Sequence, residues 1–153
     1  MSEHRATVRW SFAGEDFPKG RYSRAHSWEF DGGQKVLASS SPTIVPLPFS
    51  NPAGVDPEEA FVAALSSCHL LTFLDLARRA GHEIESYEDQ AVGVLAKNAE
   101  GARWIATVTL TPKVRYREGT TPSTEAEEQL HHQAHQLCFI ANSVKTEITV
   151  KRG

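Results

Sequence analysis

The spacing of apolar side chains changes period along the chain, and those changes outline its elements. Residues 6–12, Ala-Thr-Val-Arg-Trp-Ser-Phe, alternate small or apolar groups with polar ones. Gly14–Gly20 reads as a turn, and Ser23–Phe30 returns to the two-residue period of a strand. Asp31-Gly32-Gly33 is a hairpin signal with Lys35–Ser40 as its return strand, so the chain is expected to open as a three-stranded meander. Between Ser41 and Gly54, Pro42, Pro46, Pro48 and Pro52 deny the backbone a regular ladder. That loop, carrying Leu47 and Phe49, reads either as a lid over an apolar pocket or as a rigid surface connection.

The period then lengthens. Asp56-Pro57-Glu58-Glu59 is a helix start, with Asp56 as the cap, Pro57 in the first turn and Glu59 completing a capping box. The helix is expected to run to about Ala80 and to end at Gly81. Phe61, Val62, Leu65, Leu70, Leu71, Phe73, Leu74 and Leu76 make it apolar on nearly every face. Such a helix is expected to be covered on all sides, by a sheet and by another helix or subunit. Two β-rich segments follow, Ser86–Lys97 and Arg103–Tyr116, joined by a turn at Asn98–Gly101. Thr124-x-x-Glu127 offers a second capping box for a polar helix through Leu137, and Lys145–Lys151 alternates as a closing strand. The order βββ-α-ββ-α-β defines an α+β fold, read as one domain over residues 1–153.

Composition changes this picture in two respects. The N-terminus is polar, and no segment is judged to approach the roughly 20 apolar residues of a membrane span, so a cytosolic address and no membrane contact are expected. A net charge of −3 without a Lys/Arg block argues against a nucleic-acid partner. Asp75, in the apolar helix, must find a partner or water, and Arg78 and Arg79 are expected to oppose the helix dipole.

The 2 cysteines, Cys68 and Cys138, carry the candidate chemistry. They could form a structural bridge, share a metal, stay inert or cycle as a redox couple. A reducing compartment argues against the permanent bridge. Cys68 lies about three turns inside its helix, too deep for the helix terminus to stabilise a thiolate, so a reactive Cys68 needs a nearby cation, best an arginine held by a carboxylate. The plain alternative is a small hydrophobe on a core helix. His131, His135 and Cys138 fall on one helical face, a three-ligand arc for zinc that Cys68 would complete, or else a solvated face.

Two segments belong together: Asn51-Pro52 with Asp56-Pro57-Glu58-Glu59-Ala60-Phe61-Val62-Ala63-Ala64-Leu65-Ser66-Ser67-Cys68, and Ala134-His135-Gln136-Leu137-Cys138 followed by Asn142-Ser143. Taken together they resemble the OsmC/Ohr family of thiol-dependent peroxidases. The resemblance covers essentially the whole chain and implies an intertwined homodimer, with buried central helices flanked by antiparallel sheets. It implies reduction of organic hydroperoxides, Cys68 as the peroxidatic thiol, Cys138 as the resolving thiol, and no metal, haem or flavin cofactor. A dithiol reductant of lipoyl type would restore the thiols. The family's glutamate corresponds to Glu58, and its arginine to Arg24, with Arg21 next. A straight helix puts Glu58 about 15 Å from Cys68, so at least one of Arg24 and Glu58 is expected to come from the partner subunit. His69 and Phe139 depart from the aromatic residue and the proline usual after the two cysteines, which brings the chain nearer the broader OsmC-like branch. A dimer that binds an apolar ligand without peroxide turnover is the remaining alternative, with Tyr22, His26 and Trp28 as a substrate mouth or as strand core.

Overall fold

The computed structural model describes residues 1–153. In chain order the elements are β1 (Ala6–Arg9), β2 (Gly14–Asp16), β3 (Arg21–Tyr22), β4 (His26–Phe30), β5 (Lys35–Ala38), α1 (Pro57–Arg79), β6 (Ile84–Asp89), β7 (Val92–Lys97), β8 (Arg103–Leu110), β9 (Pro112–Tyr116), α2 (Thr124–Leu137) and β10 (Glu147–Val150). They form two compact units, residues 1–60 and 61–153, with α1 crossing the division.

In the first unit β4 is central, pairing antiparallel with β1 and with β5. The Asp31-Gly32-Gly33 turn closes the β4–β5 hairpin as expected, with Gly33 at φ +86°. The expected single turn at 14–20 is instead a small hairpin of β2 and β3. Trp10, Phe17 and Tyr22 cluster on it, the Phe17 and Tyr22 rings stacked at 4.6 Å. The proline-rich segment is pinned by its backbone. The Phe49 carbonyl accepts from the Arg24 amide at 2.9 Å, and the buried Ser39 hydroxyl accepts from the Asn51 amide at 2.8 Å. These bonds favour the rigid connection over the lid.

α1 starts as its sequence dictates. The Asp56 carboxylate accepts from the Glu59 amide at 2.7 Å, and Glu59 accepts from the Asp56 amide at 3.1 Å, a reciprocal capping box. At the far end Asp75 finds Arg78 and Arg79, each at 2.8 Å. An 18-residue window of α1 has a mean hydropathy of 1.6, enough by length and composition to cross a membrane. This corrects the expectation that no segment approaches that threshold.

In the second unit both expected long strands are broken. The first divides at Gln90-Ala91 into β6 and β7, the second at Thr111 into β8 and β9, so that β6 pairs β9 while β7 pairs β8 in a separate sheet. Pro112, without an amide donor, suits the start of β9. Asp89 holds the break: it accepts from the Thr111 amide at 2.6 Å and from the Ser66 hydroxyl of α1. β10 adds parallel to β8. α2 is capped by Ser123, which accepts from the Ala126 amide at 3.2 Å, rather than by the expected box at Thr124. Glu127 is drawn away from that box into the interior, where it accepts from the Tyr116 hydroxyl at 2.8 Å and pairs with Arg152.

Two apolar clusters fill this unit. Phe73, Ala77, Leu130 and Ala134 join α1 to α2 over Ile84, Tyr87 and Val114. Leu65, Val108 and Leu110 join α1 to the β8 sheet with Val62, Ile105 and Ile148. The helix packs closely there, since a Cβ on Gly93 would lie 2.5 Å from a Val62 methyl. Within the chain α1 is covered on one side only. Only Leu65, His69, Phe73 and Ala77 are buried, while Leu71 is 64% exposed.

Candidate active site

Cys138 is placed by the end of α2. Its amide still bonds to the Ala134 carbonyl at 3.0 Å, but its own backbone is extended, with ψ 117°, so it caps the helix and leaves the helical face. A single 3-10 turn over Ala141–Ser143 then folds back and points the Ala141 amide at Sγ, 3.3 Å away. Asn142 fastens the turn by donating its side-chain amide to the Gln136 carbonyl at 2.9 Å. That bond gives the spacing Cys138-x-x-x-Asn142 a structural reason: the asparagine satisfies a carbonyl left free where the helix stops.

Cys68 comes from the middle of α1, half-buried, with its carbonyl accepting from Thr72 Oγ1 at 2.8 Å. The two thiols are free and meet. Burial first, and then the hydrogen bond the Cys138 thiol shares with Cys68, push the Cys138 thiol up to about 11, while the Ala141 amide works in the opposite direction. Cys138 is therefore protonated at neutral pH and able to donate its S–H to a charged neighbour.

Arg24 and Glu58 are not joined. No ion pair of the chain includes either residue, whereas the runner-up Arg21 is already paired with Glu15 in the β2–β3 hairpin. Arg24 donates through Nη1 to the Gly20 and Tyr22 carbonyls, both at 2.6 Å, and lies 3.7 Å above the centre of the Tyr22 ring. This holds a cation ready without a carboxylate. Below it, Trp28 Nε1 can only donate, so His26 Nε2 accepts at 3.1 Å and His26 Nδ1 carries the proton to the Arg24 carbonyl at 2.8 Å. His26 and Trp28 thus serve to brace the Arg24 backbone. Glu58 occupies the first turn of α1.

The zinc arc does not form. No group of three or more His, Cys, Asp or Glu side chains converges closely enough to hold a metal. The physical reason is twofold: Cys138 has left the helical face, and His131 is turned inward, its Nδ1 3.0 Å from Nε2 of His69. This imidazole pair escaped sequence reasoning, although His69 stands four residues after Leu65 and four before Phe73 on the buried stripe of α1. A cleft of about 400 Å³ runs along α2 and β10, lined by His131, His132, His135, Ile148, Val150 and Arg152 among others, and neither cysteine reaches it.

The sequence matches the family described as OsmC-like protein over residues 50–152, a span that includes both cysteines. The chain belongs to the OsmC-like family. No curated protein matches it in sequence. Among solved structures, an OsmC-like protein of unknown function from Vibrio cholerae is 52% identical with a TM-score of 0.97, covering 100% of both chains. An organic hydroperoxide resistance protein from Elizabethkingia anophelis is 16% identical, with a TM-score of 0.73 over 100% of this chain and 98% of that one. The organic hydroperoxide resistance protein OhrB of Bacillus subtilis is 18% identical, with a TM-score of 0.69 over 99% and 98%. At those identities the last two establish the α+β OsmC-like fold alone.

Proposed function

We propose that this OsmC-like protein is a cytosolic, homodimeric thiol peroxidase acting on organic hydroperoxides. The observation that carries this reading is the meeting of the chain's only two thiols, one half-exposed on a helix and the other buried and protonated beside it. Family membership and the hydroperoxide resistance proteins among the structural neighbours support it.

In the first step the Cys68 thiolate attacks the distal peroxide oxygen. The O–O bond breaks, the alkoxide takes a proton to leave as an alcohol, and Cys68 becomes a sulfenic acid. Cys138 then attacks the Cys68 sulfur, and its departing proton and the sulfenic hydroxyl leave as water, forming the disulfide. A dithiol, of lipoyl type by family resemblance, reduces that bond and is itself oxidised to a cyclic disulfide. Cys138 in its protonated state donates to the charged Cys68 before the first step, a favourable charge-assisted contact.

Arg24 supplies the lasting positive charge in this reading, and Glu58 orients it. Because the two are unpaired in the isolated chain, at least one reaches the thiolate from the second subunit. Exposed apolar residues beside Cys138, Leu137 and Phe139, favour alkyl over hydrogen peroxide.

The test is steady-state turnover of an alkyl hydroperoxide and of hydrogen peroxide with a dithiol reductant. Cys68→Ser is expected to lower the rate by about a thousandfold or more, to background. Cys138→Ser is expected to allow one oxidation of Cys68 and then stall. An unchanged rate in Cys68→Ser would overturn the assignment.

A further inference from the structure

The two helices that bring the cysteines together are also joined by a feature that peroxide chemistry does not use. His69, next to Cys68 on α1, and His131, two turns before Cys138 on α2, are 1% and 5% exposed. Their Nε2 and Nδ1 atoms lie 3.0 Å apart, and the rings lie side by side in nearly one plane, with centroids 5.3 Å apart and an 11° tilt. Phe73 packs on the His131 ring at 4.2 Å. His131 Nε2 is buried without a partner. Glu127, Arg152, Asp89 and His135 are the charged or titratable groups that act on the pair.

Such a pair is a poor way to make a core cohesive. Two imidazoles are desolvated for one hydrogen bond, with a nitrogen left over, where two apolar rings of the same shape would cost nothing in polar groups. A directional bond in an apolar interface does supply something the apolar contacts lack, namely register. Phe73, Ala77, Leu130 and Ala134 would tolerate a slide of one helix along the other, whereas a bond of 3.0 Å would not. One residue of helical slip is about 1.5 Å. Disulfide formation tolerates less than that, since it needs Cβ atoms within about 3.5–4.5 Å.

We propose that the His69–His131 hydrogen bond is a latch that holds α1 and α2 in the register at which Cys68 and Cys138 can form a disulfide. Both histidines are positioning residues for the condensation step, and the inference rests on the redox role proposed for the cysteines. Neither is needed for the first attack on peroxide, because His69 projects about 100° around α1 from Cys68.

Two variants separate the latch from mere packing. The double variant His69→Leu/His131→Leu fills about the same volume, orphans no nitrogen and removes the bond. His131→Asn places an amide oxygen the same number of bonds from Cα as Nδ1, and so keeps an acceptor for His69. The measurement is the equilibrium between the reduced protein and oxidised glutathione, in which one glutathione disulfide and two protein thiols exchange for one protein disulfide and two glutathione thiols. The double Leu variant is expected to lower the equilibrium constant by about tenfold or more, with thermal stability retained, and His131→Asn to stay within about threefold of wild type. In parallel, sulfenic acid at Cys68 is trapped with a cyclic diketone after one equivalent of alkyl hydroperoxide. The trapping yield is expected to rise in the double variant while the rate of peroxide consumption is unchanged. A double variant that folds and matches the wild-type equilibrium constant overturns the latch, as does a wild type that forms no intramolecular disulfide with glutathione. A wild type that forms the disulfide with glutathione but consumes no peroxide overturns the peroxidase reading and leaves the latch standing.

Discussion

The two faces of α1 have nearly the same apolar character and opposite fates. On one, Leu65, His69, Phe73 and Ala77 are at most 1% exposed, enclosed by α2 and the β8 sheet. On the other, Leu71 is 64% exposed and Ala63, Ala64 and Ser67 are open as well. Composition cannot tell the faces apart; what packs against them does. A helix of 23 residues that is apolar on both faces is stable in water only when both are covered, and the chain itself covers one. Cys68 stands at the boundary, about 100° from Ser67 on the open side and from His69 on the closed side. Its sulfur meets Cys138 from its own chain, and the residue is only half-buried.

The sharpest way to break the comparison is to charge the open face. Leu71→Glu obliges a two-fold interface to desolvate two carboxylates, each at a cost of several kcal/mol, while the isolated chain keeps the new carboxylate in solvent. Sedimentation velocity is expected to show a wild-type dimer and a monomeric variant at micromolar concentration. A variant that remains dimeric would show that α1's open face is not the contact. The converse change on the closed face is Phe73→Ala, which removes a ring packed against His131, Tyr87 and the α2 cluster. It is expected to lower unfolding free energy by about 3–5 kcal/mol in urea titrations, with association retained at native conditions. A loss below about 1 kcal/mol would mean that this face is not the structural core.

The same contrast explains what could be read without a structure. Local signals are legible wherever a few neighbouring residues decide the outcome, as at the Asp56–Glu59 box, the Asp31-Gly32-Gly33 turn and the bounds of α2. They fail where a distant partner intervenes. Glu127 leaves the box drawn for it because Tyr116 and Arg152 hold it inside, and the cap passes to Ser123. The two long strands break where Asp89 ties Thr111 to Ser66, a contact between three segments far apart in sequence. At the candidate site, the meeting of Cys68 with Cys138 is legible only through family resemblance. Spacing alone reads His131 and Cys138 as ligands on one face, and the imidazole contact to His69 is a tertiary event with no local signature. Arg24 and Glu58 form no ion pair within the chain, and no local signal in the sequence says whether they converge.

Acid gives a graded test of the closed face alone. Burial, then the neighbouring charges of His131 and His135, lowers His69 from 6.5 to about 4, and burial likewise lowers His131. Both rings are therefore neutral in the folded chain at pH 7. Below pH 6.5 the unfolded chain takes up protons that the folded one refuses, so stability is complete above that value and is lost as pH falls towards about 4. For His69 alone the loss between pH 7 and pH 5 is about 2 kcal/mol. Ordinary carboxylates contribute little there, because they are ionised in both states until pH approaches about 4. Unfolding free energies from urea titrations at pH 7 and pH 5, taken at one protein concentration, are expected to fall by that amount in the wild type and to stay nearly level in His69→Leu/His131→Leu. Equal falls in the two proteins would place the acid sensitivity outside the imidazole pair, and remove the buried latch as the feature that sets this face of α1 apart from the other.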